Sequence, residues 1–264
     1  ATEAGKLGPY AEKSHTVIPV STLPLATENI QNSGVLDSSY EGASSVRVVD
    51  ALSGIRLIID NQKPQDLSEF VNGVEFRLND HTFWQVHHQA PAVLQGAIRR
   101  AVDKDRLDPS APNADLYAGV GLLGSALADI AGITLTLNAV ESEESALPYL
   151  IENLGDKASL NPVADRVDRW LRREAQNLNA ESGSAWSRAT VILDPPRSGA
   201  KTDVINSLEK LRPTQIVYVA CDPVALGRDT GLLTAAGYDM VGMEAWDLFP
   251  HTHHMETIAT FLRR

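Results

Sequence analysis

The sequence predicts an open, doubly wound α/β sheet preceded by a small, mostly-β segment, and three observations carry that expectation. From about Asn113 onward, strand-like and helix-like stretches alternate, the pattern of parallel strands joined by crossover helices. Two apolar runs, Val191 to Leu193 and Val217 to Ala220, each empty into a polar turn, Asp194-Pro195-Pro196-Arg197-Ser198-Gly199 and Cys221-Asp222-Pro223. Buried strands end in this way at the lip of a site. Before Asp80 the pattern changes to short β-like runs broken by Gly, Ser, Asn and Pro.

Taken in order, the β-like runs fall at His15 to Val20, Ser45 to Val49, Ile55 to Ile59 and Val74 to Leu78. They define a β-rich segment over 1–80, followed by a larger domain over 81–264. A helix over Ala90 to Val102 puts Leu94, Ile98 and Val102 on one face and Pro91 in its first turn, where a missing N–H is tolerated. A strand ends at Asp115 to Ala118, followed by helix Leu122 to Ala131, strand Ile133 to Val140, and helices Glu143 to Asn153 and Asp165 to Ala175. Strand Thr190 to Leu193, helix Lys201 to Leu211, strand Ile216 to Ala220 and helix Val224 to Ala236 continue the alternation. Two late strands, Asp239 to Glu244 and Glu256 to Leu262, close it. Ligands of such sheets sit at the carboxyl ends of the strands.

Composition limits the classes of function. With 43% hydrophobic and 22% charged residues, the chain can bury a sizeable core, and nothing in it reads as disordered overall. A single cysteine excludes an intrachain disulfide and a cysteine-built zinc or iron–sulfur site, and it suits a reducing cytoplasm. No apolar run approaches the ~18 residues of a membrane span and no basic-then-apolar leader opens the chain, so a cytoplasmic location is expected. The net charge of −11 offers no long-range attraction to nucleic acid. Arg166, Arg169, Arg172 and Arg173, and Arg99, Arg100, Lys104 and Arg106, form basic stripes at helical spacing, for which a solvated face is favoured over an RNA contact.

Gly119-Val120-Gly121-Leu122-Leu123-Gly124 is a literal G-x-G-x-x-G after a strand and at the start of a helix, where glycine lets backbone turn tightly against a ligand. Glu141 ends the next strand roughly 20 residues on, where a carboxylate can accept both hydroxyls of a ribose. These features fit NAD and S-adenosylmethionine alike. Asp115, at the end of the first strand, favours the second, because a carboxylate would repel a pyrophosphate and attract a sulfonium and an amino group.

At the other strand ends, two prolines stiffen the turn that holds Asp194, which could bind a ligand or cap the turn and pair with Arg197. A lone cysteine such as Cys221 is more often a buried small hydrophobe than a nucleophile. Its place at a strand mouth, opening a helix at Asp222-Pro223, would lower its thiol pKa and make chemistry credible. In Phe249 to Glu256, three histidines lack the i, i+4 spacing of a zinc motif, so no metal is expected. Glu256 opens an otherwise apolar strand, where partial burial would raise its pKa and suit it to take a proton; a paired, structural glutamate is the competing reading.

Phe83-Trp84-Gln85-Val86, Asp115 to Gly121, Val140-Glu141, Leu193 to Gly199, Val219 to Asp229 and Asp247 to Glu256 together resemble, in that order, the S-adenosylmethionine-dependent RNA uracil-5-methyltransferases. That family forms 5-methyluridine in transfer and ribosomal RNA, and Gly8 to Pro19 looks like the start of its central region. The resemblance implies a class I, Rossmann-like methyltransferase fold, an S-adenosylmethionine cofactor and an RNA partner. It implies that Cys221 adds to C6 of a flipped uracil and that Glu256 removes the C5 proton. Gln85, Tyr117, Glu141 and Asp194 match positions that hold the methyl donor, to which the glycine turn adds Gly119 and Gly121 and the charge argument adds Asp115. Arg228 and Asp229 match the family without an assigned role.

Departures accompany the match, among them Leu122, which stands where some members have asparagine. The family's usual Ser-Cys-Asn-Pro is here Ala220-Cys221-Asp222-Pro223, which sets an extra carboxylate beside the thiol. Ala118 stands where a cysteine is common. Too few residues precede the match to hold the family's oligonucleotide-binding barrel. Two other readings stay open: a methyltransferase of the same fold acting on a small molecule or protein, which the acidic charge favours, and a catalytically idle RNA- or partner-binding relative.

Overall fold

The computed structural model describes residues 4–11 and 14–264; Glu12 and Lys13, within the stretch Gly8 to Pro19, lie outside the described residues. The chain divides into two compact units, one ending at His81 and the other spanning Thr82–Arg264.

In the first unit, a short helix α1 (Glu28–Gln31) starts at Thr27, whose hydroxyl oxygen accepts from the Ile30 N–H. Strand β1 (Val46–Ala51) pairs antiparallel with β2 (Gly54–Ile59), and β3 (Asp66–Val71) with β4 (Val74–Asn79). The second hairpin turns on Asn72 and Gly73 at φ 52° and 82°, the left-handed pair that a two-residue type I′ turn demands. β3 is not among the strands expected from sequence, although this Asn-Gly pair is its signal. His15 to Val20 forms no strand. Among the described residues a single bridge joins Tyr10 to Val17, and Pro9 and Pro19 lack the N–H groups a continuous ladder needs.

The second unit opens with helix α2 (Ala90–Ala101), which buries Leu94, Ala97 and Ile98 on one face. The chain then runs β5 (Asn113–Leu116), α3 (Leu122–Ala131), β6 (Thr136–Glu141), α4 (Leu147–Leu154), β7 (Ser159–Ala164), α5 (Val167–Gln176) and α6 (Ala180–Trp186). It continues through β8 (Thr190–Leu193), α7 (Lys201–Leu211), β9 (Gln215–Ala220), α8 (Pro223–Ala235), β10 (Tyr238–Trp246) and β11 (Glu256–Arg263). The sheet order is β10-β11-β9-β8-β5-β6-β7. β5 to β9 are parallel, whereas β11 is inserted antiparallel between β9 and β10. From β5 the chain winds outward one way through β6 and β7, then returns to the other side of β5 as β8 and β9. Outside the carboxyl ends of β5 and β8 lies the crevice where such sheets bind ligands.

Every residue of β8 and β9 is buried, so hydrophobic burial, at about 1.5–3 kcal/mol for each large apolar side chain, anchors the two strands that end at Asp194 and Cys221. β7 and α6 are absent from the sequence expectation. β7 is an edge strand, Ser-Leu-Asn-Pro-Val-Ala, and exposes most of its residues; Pro162 is tolerated there because an edge leaves one side unpaired. Helix α6 rests on a capping box between Asn179 and Ser182 rather than on an apolar stripe. The α5 arginines are ion-paired: Arg166 with Asp168, Arg169 and Arg173 with Asp165, and Arg172 with Asp203. These pairs neutralise the stripe. No helix among the described residues is long and apolar enough to cross a membrane.

Candidate active site

A cleft of about 910 Å³ opens at the carboxyl ends of these strands, within the second unit. Five of the seven residues expected to hold a donor line it: Gln85, Tyr117, Gly119, Glu141 and Asp194. So do both residues expected to act on the substrate, Cys221 and Glu256.

The turn after β5 begins at Tyr117 with φ 67°, a left-handed conformation uncommon for a residue with a side chain, and such strain gathers at sites the surrounding fold over-determines. Burial, then the Asp168 and Asp229 charges, push the Tyr117 phenol up to about 12, so it stays a protonated donor. Gly119 follows at φ 53°, and its N–H donates to Glu141 Oε2 at 2.9 Å. The other oxygen, Oε1, accepts from the Glu143 N–H at 2.7 Å. Glu141 is therefore fixed at the tip of β6 with lone pairs left for a ligand's hydroxyls.

Asp115 and Gly121 stand elsewhere. Asp115 is fully buried behind the glycine turn; its Oδ2 accepts from the Gly124 N–H at 2.7 Å and its Oδ1 has no partner among the described residues. It does not line the cleft, so the charge it was expected to present to a ligand points into α3 instead. Gly124 makes this possible, since a Cβ there would lie 2.7 Å from Asp115 Oδ2. Burial pushes the Asp115 carboxyl up to about 7. Gly121, at φ 92°, is buried, caps α3 and packs on Leu154, where a Cβ would approach to 2.8 Å. The glycine motif thus divides its labour: Gly119 meets the cleft, while Gly121 and Gly124 serve the turn and its packing.

Cys221 and Glu256 come together through the sheet. β9 and β11 pair antiparallel with Thr257 opposite Ala220, so one further step along the ladder sets Glu256 against Cys221. Glu256 is only 4% exposed, and burial raises its carboxyl to about 7. The Cys221 thiol is raised by burial first, then by Glu256 and Asp194, with Arg197 opposing. This reverses the lowered thiol expected from the helix N-terminus, because two acids facing the thiol and partial burial outweigh that helix end. Asp222 is the N-cap of α8, its Oδ1 accepting from the Ala225 N–H at 2.8 Å. The carboxylates that oppose ionisation of the thiol are therefore neighbours in space rather than its neighbour in sequence. Asp194 is raised well above the carboxylate range by burial, then by Glu256 and Asp115.

Phe83, Asp168 and Lys201 also line the cleft and were missed as site residues. Phe83 is 66% exposed, and an exposed aromatic beside a polar turn was its signal. The histidine cluster also gathers a residue from outside its own stretch. One donor atom each of Asp222, His253 and His254 lies within 4.8 Å of the others, although sequence spacing pointed away from a metal site.

Residues 163–264 match the family model described as tRNA (Uracil-5-)-methyltransferase. An uncharacterized RNA methyltransferase of Bifidobacterium longum is 31% identical over 95% of this chain and 62% of its own length. The 23S rRNA (uracil(1939)-C(5))-methyltransferase RlmD of Dechloromonas aromatica is 33% identical over 74% of this chain and 42% of its own length. Over residues 163–264 the chain is thus similar to the RNA uracil-5-methyltransferase family, and over most of its length to RNA methyltransferases. The chain spans less than two thirds of the length of these curated relatives. Among solved structures, the Pyrococcus abyssi tRNA (uracil-54, C5)-methyltransferase, in complex with S-adenosyl-L-homocysteine, superposes with TM-score 0.56 at 23% identity, over 77% of this chain and 46% of that chain. An S-adenosylmethionine-dependent methyltransferase of Agrobacterium tumefaciens gives 0.53 at 13% identity, over 79% of this chain and 74% of that one. The sheet thus has the class I, Rossmann-like methyltransferase fold.

Proposed function

We propose that this chain methylates C5 of a uridine in transfer or ribosomal RNA with S-adenosylmethionine as donor, through a covalent adduct between Cys221 and C6. The observation that carries this reading is the meeting of a thiol and a buried carboxylate, Cys221 and Glu256, at adjacent strand ends in one cleft.

The cleft suits the donor. Glu141 and Asp194 offer acceptors to a cationic, hydroxyl-bearing ligand, and Gly119 has nothing within 4 Å of where a Cβ would stand, so a ligand can approach its backbone. Gln85 and Tyr117 complete that wall. When bound, S-adenosylmethionine supplies an electrophilic methyl group on a sulfonium.

The chain's own residues do the rest. C5 of uracil is a poor nucleophile, and addition of the Cys221 thiolate to C6 pushes the C5–C6 π electrons toward C5 and the C4 carbonyl. With C5 methylated, Glu256 takes the C5 proton, the C–H pair restores the C5–C6 double bond, and the C6–S bond breaks to return the thiolate. The target base must leave its stack to reach Cys221, and exposed Phe83 offers it a stacking surface at the rim. The free thiol fits a reducing cytoplasm.

RNA carrying 5-fluorouridine tests this, because fluorine replaces the proton that Glu256 must remove. Incubated with S-adenosylmethionine, transfer or ribosomal RNA so substituted is expected to yield a denaturation-resistant protein–RNA complex with wild type and none with Cys221→Ala. No complex with either RNA, or a complex that survives Cys221→Ala, overturns the reading. The acidic net charge and the ion-paired α5 arginines favour a second reading, a smaller substrate, which methyl transfer to small molecules or protein without RNA trapping would support.

A further inference from the structure

The stretch from Asp194 to Ala200 has left the strand ladder, yet it builds one wall of the cleft, and two residues of α8 hold it from behind. Asp229 is fully buried. Its Oδ2 accepts from the Ala200 N–H at 2.7 Å, the Tyr218 hydroxyl at 2.7 Å and the Lys201 N–H at 3.4 Å. Its Oδ1 accepts from Arg228 Nε at 2.9 Å and Nη2 at 2.7 Å. Arg228 Nη2 also donates to the Ser198 carbonyl at 2.8 Å, and the Tyr218 oxygen accepts from the Ala200 N–H at 3.0 Å. Between these anchors Gly199, at φ 76°, passes so close that a Cβ would collide with Arg228 Nη2 and Asp229 Oδ2. None of Tyr218, Arg228 and Asp229 lines the cleft, whereas Arg197 to Lys201 all do.

A buried carboxylate that satisfies several donors at once holds its partners strongly, because releasing any one leaves a buried polar group unpaired. The bonds run to main-chain atoms of the wall, so what they fix is the path of the wall rather than any one side chain. That path carries Arg197 to the cleft. Glu256 from β11, and Asp194 and Arg197 from this wall, line the cleft together with Cys221 and are the charges that act on its thiol; Asp222, next in the chain, is committed to capping α8. Arg197 is the one cation among them.

We propose that Arg228 and Asp229 are positioning residues for methyl transfer, clamping the wall 195–201 so that Arg197 faces Cys221 while the thiol meets the target base. The proposal rests on Cys221 as the nucleophile. Neither residue touches substrate; each acts through the wall.

Arg228→Gln, Arg228→Lys, Gly199→Ala and Asp229→Asn test it, with three readouts: the pH dependence of iodoacetamide alkylation, methyl-transfer kinetics and thermal unfolding. Cys221 is the only cysteine, so alkylation reports on it alone. In folded Arg228→Gln and Gly199→Ala the alkylation midpoint is expected to move to higher pH as Arg197 is released, and kcat to fall about tenfold or more, as for other small misplacements. The KM for donor should change less than kcat, because Gln85, Tyr117 and Glu141 lie outside the clamped stretch and Asp194, which precedes it, is held by its own N–H to the Leu116 carbonyl. Arg228→Lys should recover part of both losses, since it keeps the charge and one bond.

Wild-type midpoints and kcat in folded Arg228→Gln and Gly199→Ala would overturn the clamp. If Asp229→Asn fails to fold, Arg228→Gln decides, because the Arg228 side chain is 48% exposed. If wild type transfers no methyl group to RNA, the proposed function fails, while the alkylation profiles still decide whether the clamp holds Arg197 against Cys221.

Discussion

Glu256→Gln is expected to stall after methyl transfer, so that a covalent protein–RNA adduct accumulates with natural RNA while turnover falls by about 10²–10⁴-fold, the usual worth of a positioned proton acceptor. The amide keeps the shape of the side chain but cannot take the C5 proton. Electrostatics adds a second, opposite effect. Glu256 is the leading charge that holds the thiol up, so its removal should move the midpoint of Cys221 alkylation to lower pH. A variant that ionises its cysteine more readily, forms adduct and yet fails to turn over separates a base from a structural glutamate. In wild type, the base works only when deprotonated, so kcat/KM should rise with pH through about 7. Normal turnover in Glu256→Gln would remove the assigned base.

Asp115→Asn is expected to flatten the pH dependence of folding stability. Burial raises the Asp115 carboxyl from 3.8 to about 7, so between those values the folded chain holds a proton that the unfolded chain has released. Stability therefore falls as pH rises through that window and levels off above it; full ionisation of this one group costs a few kcal/mol. Glu256 contributes in the same direction, from 4.5 to about 7. Asparagine resembles the protonated acid and can still accept from the Gly124 N–H. Urea unfolding at pH 5 and pH 8 should show a smaller difference for Asp115→Asn than for wild type, with the gain concentrated at pH 8. Equal differences would mean that Asp115 is ionised in the folded state.

Much of the fold was legible because its strands and helices have sharp chemical edges. β8, α3 and α7 end where expected, bounded by Gly, Pro and Asp beside unbroken apolar or amphipathic runs. β7 was not legible, since an edge strand need not be apolar, and Asn161 and Pro162 read as loop. Site chemistry divided in the same way. The roles proposed for Cys221 and Glu256 come from their residue types and from the family resemblance, but what brings the two together is the β9–β11 register, a tertiary fact. The direction of Asp115 could not be read at all. Every residue of β5 is buried, so no alternation shows which face a side chain takes, and only packing against Gly124 decides it.

The antiparallel β9–β11 ladder also separates two things that sequence joins. Backbone hydrogen bonds between neighbouring strands set the spacing of Cys221 and Glu256, so the chain that connects the two residues is free to vary in length. The turn at Ala236–Gly237, between α8 and β10, is one place where that freedom lies. A short peptide inserted there is expected to leave Cys221 and Glu256 at the same separation, which the alkylation profile of Cys221 in the insertion variant would check.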